Sequence, residues 1–188
     1  AQGEFVPASD EDGGGRWHFD APVPREGWPL ARGDVKFTAS CTPFRHLGFF
    51  PDMAPVWDWM GEQLSGRSDA QTLNLFGYTG VGTLSLSDYG PVTHVDASKK
   101  SVAAARENAA LSGLSERPIR WLVDDAAKFT AREVRRGKRY DGIILDPPKF
   151  APSAAHADRA ARAYKDINRL AFKILEPGGV LFTYSCSG

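Results

Sequence analysis

From about residue 72 onward, short apolar runs alternate with longer stretches in which apolar residues recur three or four positions apart. The short runs are typical of buried strands, and the longer stretches are typical of amphipathic helices. Strands are predicted over 72–76, 92–96, 119–123, 142–146 and 179–184. Helices are predicted over about 82–89, 98–112, 126–136 and 159–175. This alternation predicts an α/β fold with a parallel sheet and right-handed crossovers.

The first 45 residues have a different pattern, rich in glycine, proline and charge. They are predicted to form an N-terminal extension, 1–45, of loops and short strands, with a hairpin expected and a strand at 35–39. The remaining residues, 46–188, are predicted to form the main domain. Its first helix opens at Pro51, with an apolar face formed by Met53, Val56, Trp57, Met60 and Leu64.

The charge composition does not favour a protein that is basic overall, because 23 Lys and Arg balance 23 Asp and Glu. Nucleic-acid binding would therefore need a local patch. One basic group has the composition of a solvated helix end that could also touch phosphate: Arg132, Arg135, Arg136, Lys138 and Arg139. A second group follows the fourth strand and is better placed for a nucleic-acid backbone: Arg159, Arg162, Lys165 and Arg169.

No metal site, disulfide or membrane segment is expected. Cys41 and Cys186 lie far apart without metal-ligand spacing, and the four histidines form no ligand pattern, so surface or packing roles are expected for them. The polar start lacks the profile of a signal peptide, and no apolar run is long enough to span a bilayer. A cytoplasmic protein is expected.

A glycine-rich turn follows the first predicted strand of the sheet, with Gly77, Gly80 and Gly82 in the spacing G-x-x-G-x-G. This spacing differs from the dinucleotide fingerprint, but the turn lies where α/β sheets bind ligands. Asp96 ends the next strand and can accept hydrogen bonds from ribose hydroxyls. The pattern indicates a nucleoside-containing cofactor, with a plain tight turn as the alternative.

The segment Asp146-Pro147-Pro148-Lys149-Phe150 follows the fourth predicted strand. Two prolines fix the backbone and leave carbonyl groups free as acceptors. A planar base can be held there, with its amino group on Asp146 or on a proline carbonyl and its face near Phe150. The alternative is a structural end to the strand with a solvated Lys149.

Cys186 ends the fifth predicted strand and should lie at the same edge of the sheet as these residues. A thiolate there can add to C6 of a pyrimidine and activate C5 for methylation, with Lys149 lowering its pKa. The alternative is a small buried apolar residue. At the end of the third strand, one of Asp124 and Asp125 can hold an adenine amino group while the other caps the next helix.

Together these residues resemble class I S-adenosylmethionine-dependent methyltransferases over about 45–188. The glycine turn resembles the first motif of that family, Asp96 its ribose-binding acid, Asp125-Ala126 its adenine contact and 146–150 its fourth motif. The resemblance implies a Rossmann-like doubly wound sheet and S-adenosyl-L-methionine as cofactor. It implies cofactor contacts by Asn74, Phe76, Gly77, Gly80, Asp96, Ala97, Ser98, Asp125, Ala126 and Asp146.

More narrowly, three segments are similar to the bacterial 23S ribosomal RNA cytosine-C5 methyltransferases of the large-subunit methyltransferase I type. They are 146–150, Tyr164-Lys165-Asp166-Ile167-Asn168 and Ser185-Cys186-Ser187-Gly188. This similarity implies an RNA substrate, most often ribosomal, with Cys186 as nucleophile and with Asp146 and Lys149 handling protons at the base. Pro147, Pro148 and Phe150 would contact that base.

The sequence departs from this family in three respects. The segment 42–52 only loosely resembles the segment that covers the cofactor in the family and lacks its Gln-Arg pair. Residues 1–40 are too short for the family's N-terminal RNA-binding PUA module, and two further strands expected after 179–184 are absent, so a fragment is expected. Three alternatives stay open: a base N-methyltransferase of the same fold, a nicotinamide-dependent oxidoreductase, and a non-catalytic RNA-binding fragment. The sequence does not indicate an oligomeric state.

Overall fold

A parallel five-stranded sheet forms the centre of the part of the chain that the structure describes. The computed structural model describes residues 3–8, 14–67, 69–150 and 157–185. The strands are β1 Gly3–Pro7, β2 Gly15–Phe19, β3 Trp28–Arg32, β4 Val35–Ala39, β5 Thr72–Leu75, β6 Val92–Asp96, β7 Ile119–Val123, β8 Tyr140–Leu145 and β9 Leu175–Thr183. The helices are α1 Ala54–Leu64, α2 Val81–Leu86, α3 Lys99–Leu111, α4 Ala126–Arg135 and α5 Ala157–Ile174, with a 3-10 turn at Pro51–Met53.

The sheet has the strand order β7-β6-β5-β8-β9, with all neighbours parallel. Each strand predicted from residue 72 onward is present, and the α/β doubly wound fold is confirmed. Within the described residues the sheet has five strands, fewer than the seven that the resemblance implies. Because β5 lies in the middle, the turn that follows it is flanked by the ends of β6 and β8.

The start of β9 differs from the prediction. The strand begins at Leu175, which pairs with Tyr140, and the register then shifts so that Val180 pairs with Gly142. The segment 176–179 between these pairs therefore forms an irregularity. It contains Pro177, which cannot donate to a ladder, and Gly178, with φ +77°.

Helices cover both faces of the sheet, and alternate strand residues supply the two apolar layers. Ile144 packs with Met60 and Leu64 of α1 on one face. Ile143 and Leu145 pack on the other face with Phe129 of α4 and with Ile167, Ala171 and Ile174 of α5. Each fully buried aliphatic side chain contributes about 1.5–3 kcal/mol. The predicted apolar face of α1 is confirmed, since Met53, Trp57, Met60 and Leu64 are buried.

The N-terminal extension contains two antiparallel hairpins, β1–β2 and β3–β4, where a single hairpin was expected. The second hairpin docks on α3. Lys36 N–H donates to Ser112 Oγ at 2.8 Å, and Thr38 N–H donates to Asn108 Oδ1 at 3.3 Å. Val35 and Phe37 join the apolar layer on that face of the sheet.

Capping residues set the ends of α3. Ser98 Oγ accepts the Ser101 N–H at 3.1 Å, and Gly113 adopts φ +71° just beyond the helix. Across the described ranges, no helix has the length and apolarity needed to cross a bilayer. In the same ranges, no three His, Cys, Asp or Glu side chains cluster in a way that could hold a metal ion.

Candidate functional site

The glycine turn between β5 and α2 is built by close packing. Gly80 has φ +78°, and a Cβ there would lie 2.7 Å from the Cβ of Ala105 on α3. A Cβ on Gly77 would lie 2.5 Å from the His94 ring. Both glycines therefore let the turn approach β6 and α3 more closely than any other residue would allow.

Two non-glycine residues in this turn have left-handed backbone conformations, Phe76 at φ 59° and Tyr78 at φ 48°. Such conformations cost about 1–3 kcal/mol each and cluster at ligand sites. A hydrogen bond of 3.0 Å from Tyr78 N–H to Asp96 Oδ2 helps to hold the turn. The strain lies in the segment that the sequence assigned to the cofactor.

Asp96 lies at the carboxyl end of β6 and is half-buried. Its Oδ1 accepts the Ser98 N–H at 2.8 Å, while Oδ2 accepts the Tyr78 N–H. Each carboxylate oxygen retains a further lone pair, which can accept a hydrogen bond from a ribose hydroxyl. Burial, followed by the negative charge of Asp96, raises the pKa of the Tyr78 phenol. Ala97 and Ser98, also predicted as cofactor contacts, are exposed beside Asp96.

A cleft with about 50 Å³ of interior space opens above the turn. Its walls come from β5 and the turn, from the start of α1 and from the residue after β8. The lining residues are Phe49, Phe50, Met53, Trp57, Asn74, Phe76, Gly77, Tyr78, Thr79, Gly80, Val81, Gly82 and Asp146.

One wall of the cleft is the aromatic loop 42–50, which contributes Phe49 and Phe50. Thr79 Oγ1 donates to the Gly48 carbonyl at 2.9 Å, and the Tyr78 ring meets the rings of His46 and Phe50 at 5.8 and 5.7 Å. Burial lowers the pKa of His46. The sequence did not single out the lining residues Phe49, Met53 and Trp57. Their apolar side chains indicated packing in the core and gave no indication of a ligand site.

Asp146 follows β8 and lines the cleft. Burial raises the pKa of its carboxyl group, and the negative charge of Asp52 raises it further. Asp52 was not singled out from the sequence, since 94 residues separate the two acids in the chain. A carboxyl group with a raised pKa in a cleft is suited to donating and accepting protons.

The proline loop after Asp146 is held by α5. The Tyr164 hydroxyl donates to the Pro148 carbonyl at 3.1 Å, and the Phe150 ring lies 4.6 Å from the Tyr164 ring and 6.3 Å from the Phe76 ring. Pro147 is buried, whereas Pro148 is exposed. Tyr164 already occupies one lone pair of the Pro148 carbonyl, and the acceptor of this segment that lines the cleft is Asp146.

Lys149 is exposed and, in the described ranges, forms no ion pair or hydrogen bond. Cys186, the predicted nucleophile, lies outside the described residues. The chain before it can be followed to 185. Tyr184 N–H donates to the Leu145 carbonyl at 3.0 Å, which puts Tyr184 beside the end of β8. The roles of Lys149 and Cys186 stay predictions.

The two acids after β7 have separate structural contacts. Asp125 caps α4, because its Oδ1 accepts the Lys128 N–H at 2.8 Å, and Asp124 pairs with Arg132. Ala126 is buried in the first turn of α4. The assignment of Asp125 and Ala126 to the adenine stays a prediction, and Asp125 performs the capping role that the sequence left open between the two acids.

A buried polar chain runs under the turn. The Asn74 amide donates to Thr83 Oγ1 at 2.9 Å, and Thr83 Oγ1 lies 2.8 Å from His94 Nδ1. The Thr83 hydroxyl donates to Nδ1 or accepts from it, according to which ring nitrogen of His94 carries the hydrogen. His94 is fully buried and thus has the packing role expected for it. Burial lowers its pKa to about 4.

Comparison with known proteins identifies the family. Residues 10–187 match the family described as S-adenosylmethionine-dependent methyltransferase. The chain is 38% identical over 168 residues to the Ribosomal RNA large subunit methyltransferase I of Aeromonas salmonicida, covering 88% of this chain and 42% of that protein. It is 38% identical over 161 residues to the protein of the same name from Shewanella amazonensis, covering 85% of this chain and 40% of that one. The chain therefore spans about two fifths of the length of these relatives.

Solved structures agree with this assignment. The SAM-dependent methyltransferase of Agrobacterium tumefaciens aligns with a TM-score of 0.84 at 38% identity, covering 100% of this chain and 61% of that one. The structure of SMU.776 complexed with SAH aligns with a TM-score of 0.71 at 23% identity, covering 87% of this chain and 43% of that one, and supports the fold alone.

The cleft fits the cofactor of this family. The glycine backbone allows a close approach, and Asp96 offers acceptor oxygens to a ribose at the edge of the sheet where such folds bind ligands. Family match, similarity and cleft geometry agree, and the chain belongs to the S-adenosylmethionine-dependent methyltransferase family.

Proposed function

We propose that this protein methylates C5 of a cytosine in ribosomal RNA, with Cys186 as the nucleophile. The observation that carries the proposal is 38% identity, over 88% of the chain, to a protein named Ribosomal RNA large subunit methyltransferase I. Since the chain spans about two fifths of that relative, the RNA substrate and the target atom are part of the proposal. A ribosomal RNA substrate would also assign the protein to the cytoplasm.

The chemistry needs a nucleophile, a proton carrier and an electrophilic methyl group, which S-adenosylmethionine supplies when bound. The Cys186 thiolate adds to C6 of the ring while Asp146, whose pKa is raised, gives a proton to N3. C5 then takes the methyl group, for which the S–CH₃ bond of the methyl donor would break and S-adenosylhomocysteine would be the leaving group. Loss of the C5 proton and cleavage of the S–C6 bond restore the aromatic ring, and the proton on N3 returns to Asp146. One C–H bond is replaced by a C–CH₃ bond, and one proton is released.

The position of Asp146 supports this proposal. Asp146 lines the same cleft as the glycine turn, and the loop after it holds its shape through Tyr164 and Phe150. A base on the proline loop would therefore lie next to the methyl donor. The Tyr184–Leu145 hydrogen bond brings the chain that leads to Cys186 to the end of β8.

The test uses RNA in which cytosine is replaced by 5-fluorocytosine. The C5 hydrogen of cytosine leaves as a proton, but a C5 fluorine cannot leave as a cation. A Cys186 adduct would therefore persist and increase the mass of the protein. We expect the adduct with the natural protein and none with Cys186→Ala, which should still bind S-adenosylhomocysteine with unchanged affinity. Methylation of ordinary ribosomal RNA by Cys186→Ala would exclude the covalent mechanism.

A second candidate is methylation of a base nitrogen in the same cleft. The observation that favours it is the acceptor pair of Asp146 and the Pro147 carbonyl, because these groups can hold an amino group without a thiol. On this alternative Cys186→Ala stays active, and mass spectrometry of the digested RNA places the methyl group on nitrogen.

A further inference from the structure

The solvent side of α5 carries a row of exposed basic side chains. Its buried side is formed by Ala160, Ile167, Ala171 and Ile174. Basic residues three or four positions apart lie on the opposite side: Arg159, Arg162, Lys165, Arg169 and Lys173. Asp158 and Asp166 are the acids of this helix, and Asp166 pairs with Arg169 at 3.3 Å. Although the whole chain has no net charge, α5 has an excess of positive charge.

The first half of this row adjoins the candidate site. Tyr164, between Arg162 and Lys165 in sequence, contacts both Pro148 and Phe150 of the proline loop. The positions from Arg159 to Lys165 span about 9 Å of helix axis at 1.5 Å per residue. Arg169 and Lys173 continue toward the other edge of the sheet, where β9 begins. Arg159, Arg162 and Lys165 form what we term the α5 basic face.

The charges of the α5 basic face are available to a partner. In the described part of the chain, none of its three side chains forms an ion pair or a side-chain hydrogen bond, and all three are exposed. The other basic group of the sequence is different, because three of its five members are engaged within the protein by ion pairs or hydrogen bonds. Arg132 pairs with Asp124, Arg136 pairs with Glu133 at 2.9 Å, and Arg139 donates to the Leu175 carbonyl at 2.9 Å.

We propose that the α5 basic face binds the sugar–phosphate backbone of the RNA strand that flanks the base held at Asp146–Phe150. The inference rests on the proposed function, which puts an RNA base on that loop. Long cationic side chains bind phosphate without reading sequence, and such contacts fix the position of a strand. A strand anchored on Arg162 and Lys165 would lie within one helical turn of Tyr164, the residue that contacts the loop.

The test compares two double variants that each remove two positive charges. Arg162→Gln with Lys165→Gln alters the α5 basic face. The matched control is Arg25→Gln with Arg106→Gln, which alters exposed arginines in the turn before β3 and on α3. The probe is a fluorescent oligocytidine strand, and binding is followed by anisotropy between about 50 and 200 mM KCl.

Two lost phosphate contacts should reduce the slope of log K against log salt by about 1.4, which corresponds to roughly 20-fold weaker binding at 0.1 M salt. The control pair should bind RNA within about twofold of the natural protein, since nonspecific field effects are screened at this salt. Both pairs should bind S-adenosylhomocysteine unchanged. During turnover, KM for RNA should rise in the α5 variant while kcat stays the same.

The inference would be overturned if both double variants lost RNA affinity equally. It would also be overturned if the slope of log K against log salt were unchanged in Arg162→Gln with Lys165→Gln. Loss of binding to phosphatidylserine vesicles that matches the loss of binding to RNA would overturn it as well, because the face would then recognise any anionic surface. This binding test can succeed or fail independently of the test of the proposed function. RNA binding is measured without methyl transfer, so a methyl group found on nitrogen would leave this result intact.

Discussion

His94 shows how burial sets the charge of a single residue. Its ring is fully buried between the glycine turn and Trp121, and its Nδ1 is occupied by Thr83. The Nε2 atom has no hydrogen-bond partner among the described residues. A charged imidazole there would lack solvation, which is why its pKa falls from 6.5 to about 4.

The lowered pKa of His94 predicts that the protein loses stability in mild acid. Between pH 6.5 and 4 the unfolded chain binds a proton at His94 and the folded chain does not, so the free energy of unfolding falls as pH falls. The free energy of unfolding is expected to fall by about 2 kcal/mol from pH 7 to pH 5. Urea unfolding at the two pH values measures it.

His94→Gln is the control for this titration. The amide can accept the Thr83 hydrogen bond but has no proton to gain, so its stability should change little between pH 7 and 5. A loss as large in His94→Gln as in the natural protein would assign the pH dependence to other groups.

Single residues at strand ends were the most predictable part of the site. Asp96 and Asp146 could be found because an acid directly after an apolar run lies at the carboxyl edge of a parallel sheet. The approach of Asp52 to Asp146, and the chain from Asn74 through Thr83 to His94, could not be found. They depend on how loops and helices pack, and no spacing in the sequence records that.

At the level of elements, α5 both covers the sheet and fixes the loop at the site. Its buried side packs against β8, while Tyr164 reaches the Pro148 carbonyl and the Phe150 ring. The two prolines restrict the backbone from within, and Tyr164 restrains it from outside. A loop held in this way can present Asp146 to a base without ordering at each turnover.

Tyr164→Phe tests whether this restraint serves catalysis. The variant keeps the ring contact with Phe150 and loses a hydrogen bond, which contributes about 0.5–1.5 kcal/mol. We expect methyl transfer to RNA to slow by about 2–10-fold, with unchanged affinity for S-adenosylhomocysteine, because Tyr164 does not line the cofactor cleft.

Tyr89→Phe is the matched control, since it removes a hydroxyl that forms no side-chain hydrogen bond in the described ranges and lies outside the cleft. Its rate and its cofactor affinity should equal those of the natural protein. A Tyr164→Phe variant as fast as Tyr89→Phe would show that the prolines alone hold the loop.

Elements were predictable where local signals were strong. The apolar runs of β5 to β8 and the helical periodicity of α3 located these elements within a few residues. The N-terminal hairpins and the early start of β9 were less predictable. Hairpin β3–β4 gains its stability from contacts with α3, about 70 residues away in sequence, and β9 begins at Leu175 through pairing with Tyr140.

In the molecule as a whole, β9 forms one edge of the sheet within the described residues. It is nine residues long and carries Leu181 and Phe182. An open edge presents unpaired N–H and C=O groups that can pair with another strand. The chain of 188 residues is therefore expected to associate as its concentration rises.

The hydrogen bonds of β9 show which amide groups face outward. Because Tyr184 N–H donates to the Leu145 carbonyl on β8, the N–H of Thr183 points away from β8, since successive residues of a strand alternate in direction. Thr183→Pro should thus remove a donor from the open edge and keep the pairing of β8 with β9. Tyr184→Pro should instead remove a bond inside the sheet, costing about 0.5–1.5 kcal/mol of stability.

Sedimentation velocity over a wide concentration range, with urea unfolding of each variant, separates the two effects. Reduced association in Thr183→Pro at unchanged stability is expected, and a natural chain that stays monomeric throughout would show that the β9 edge does not pair.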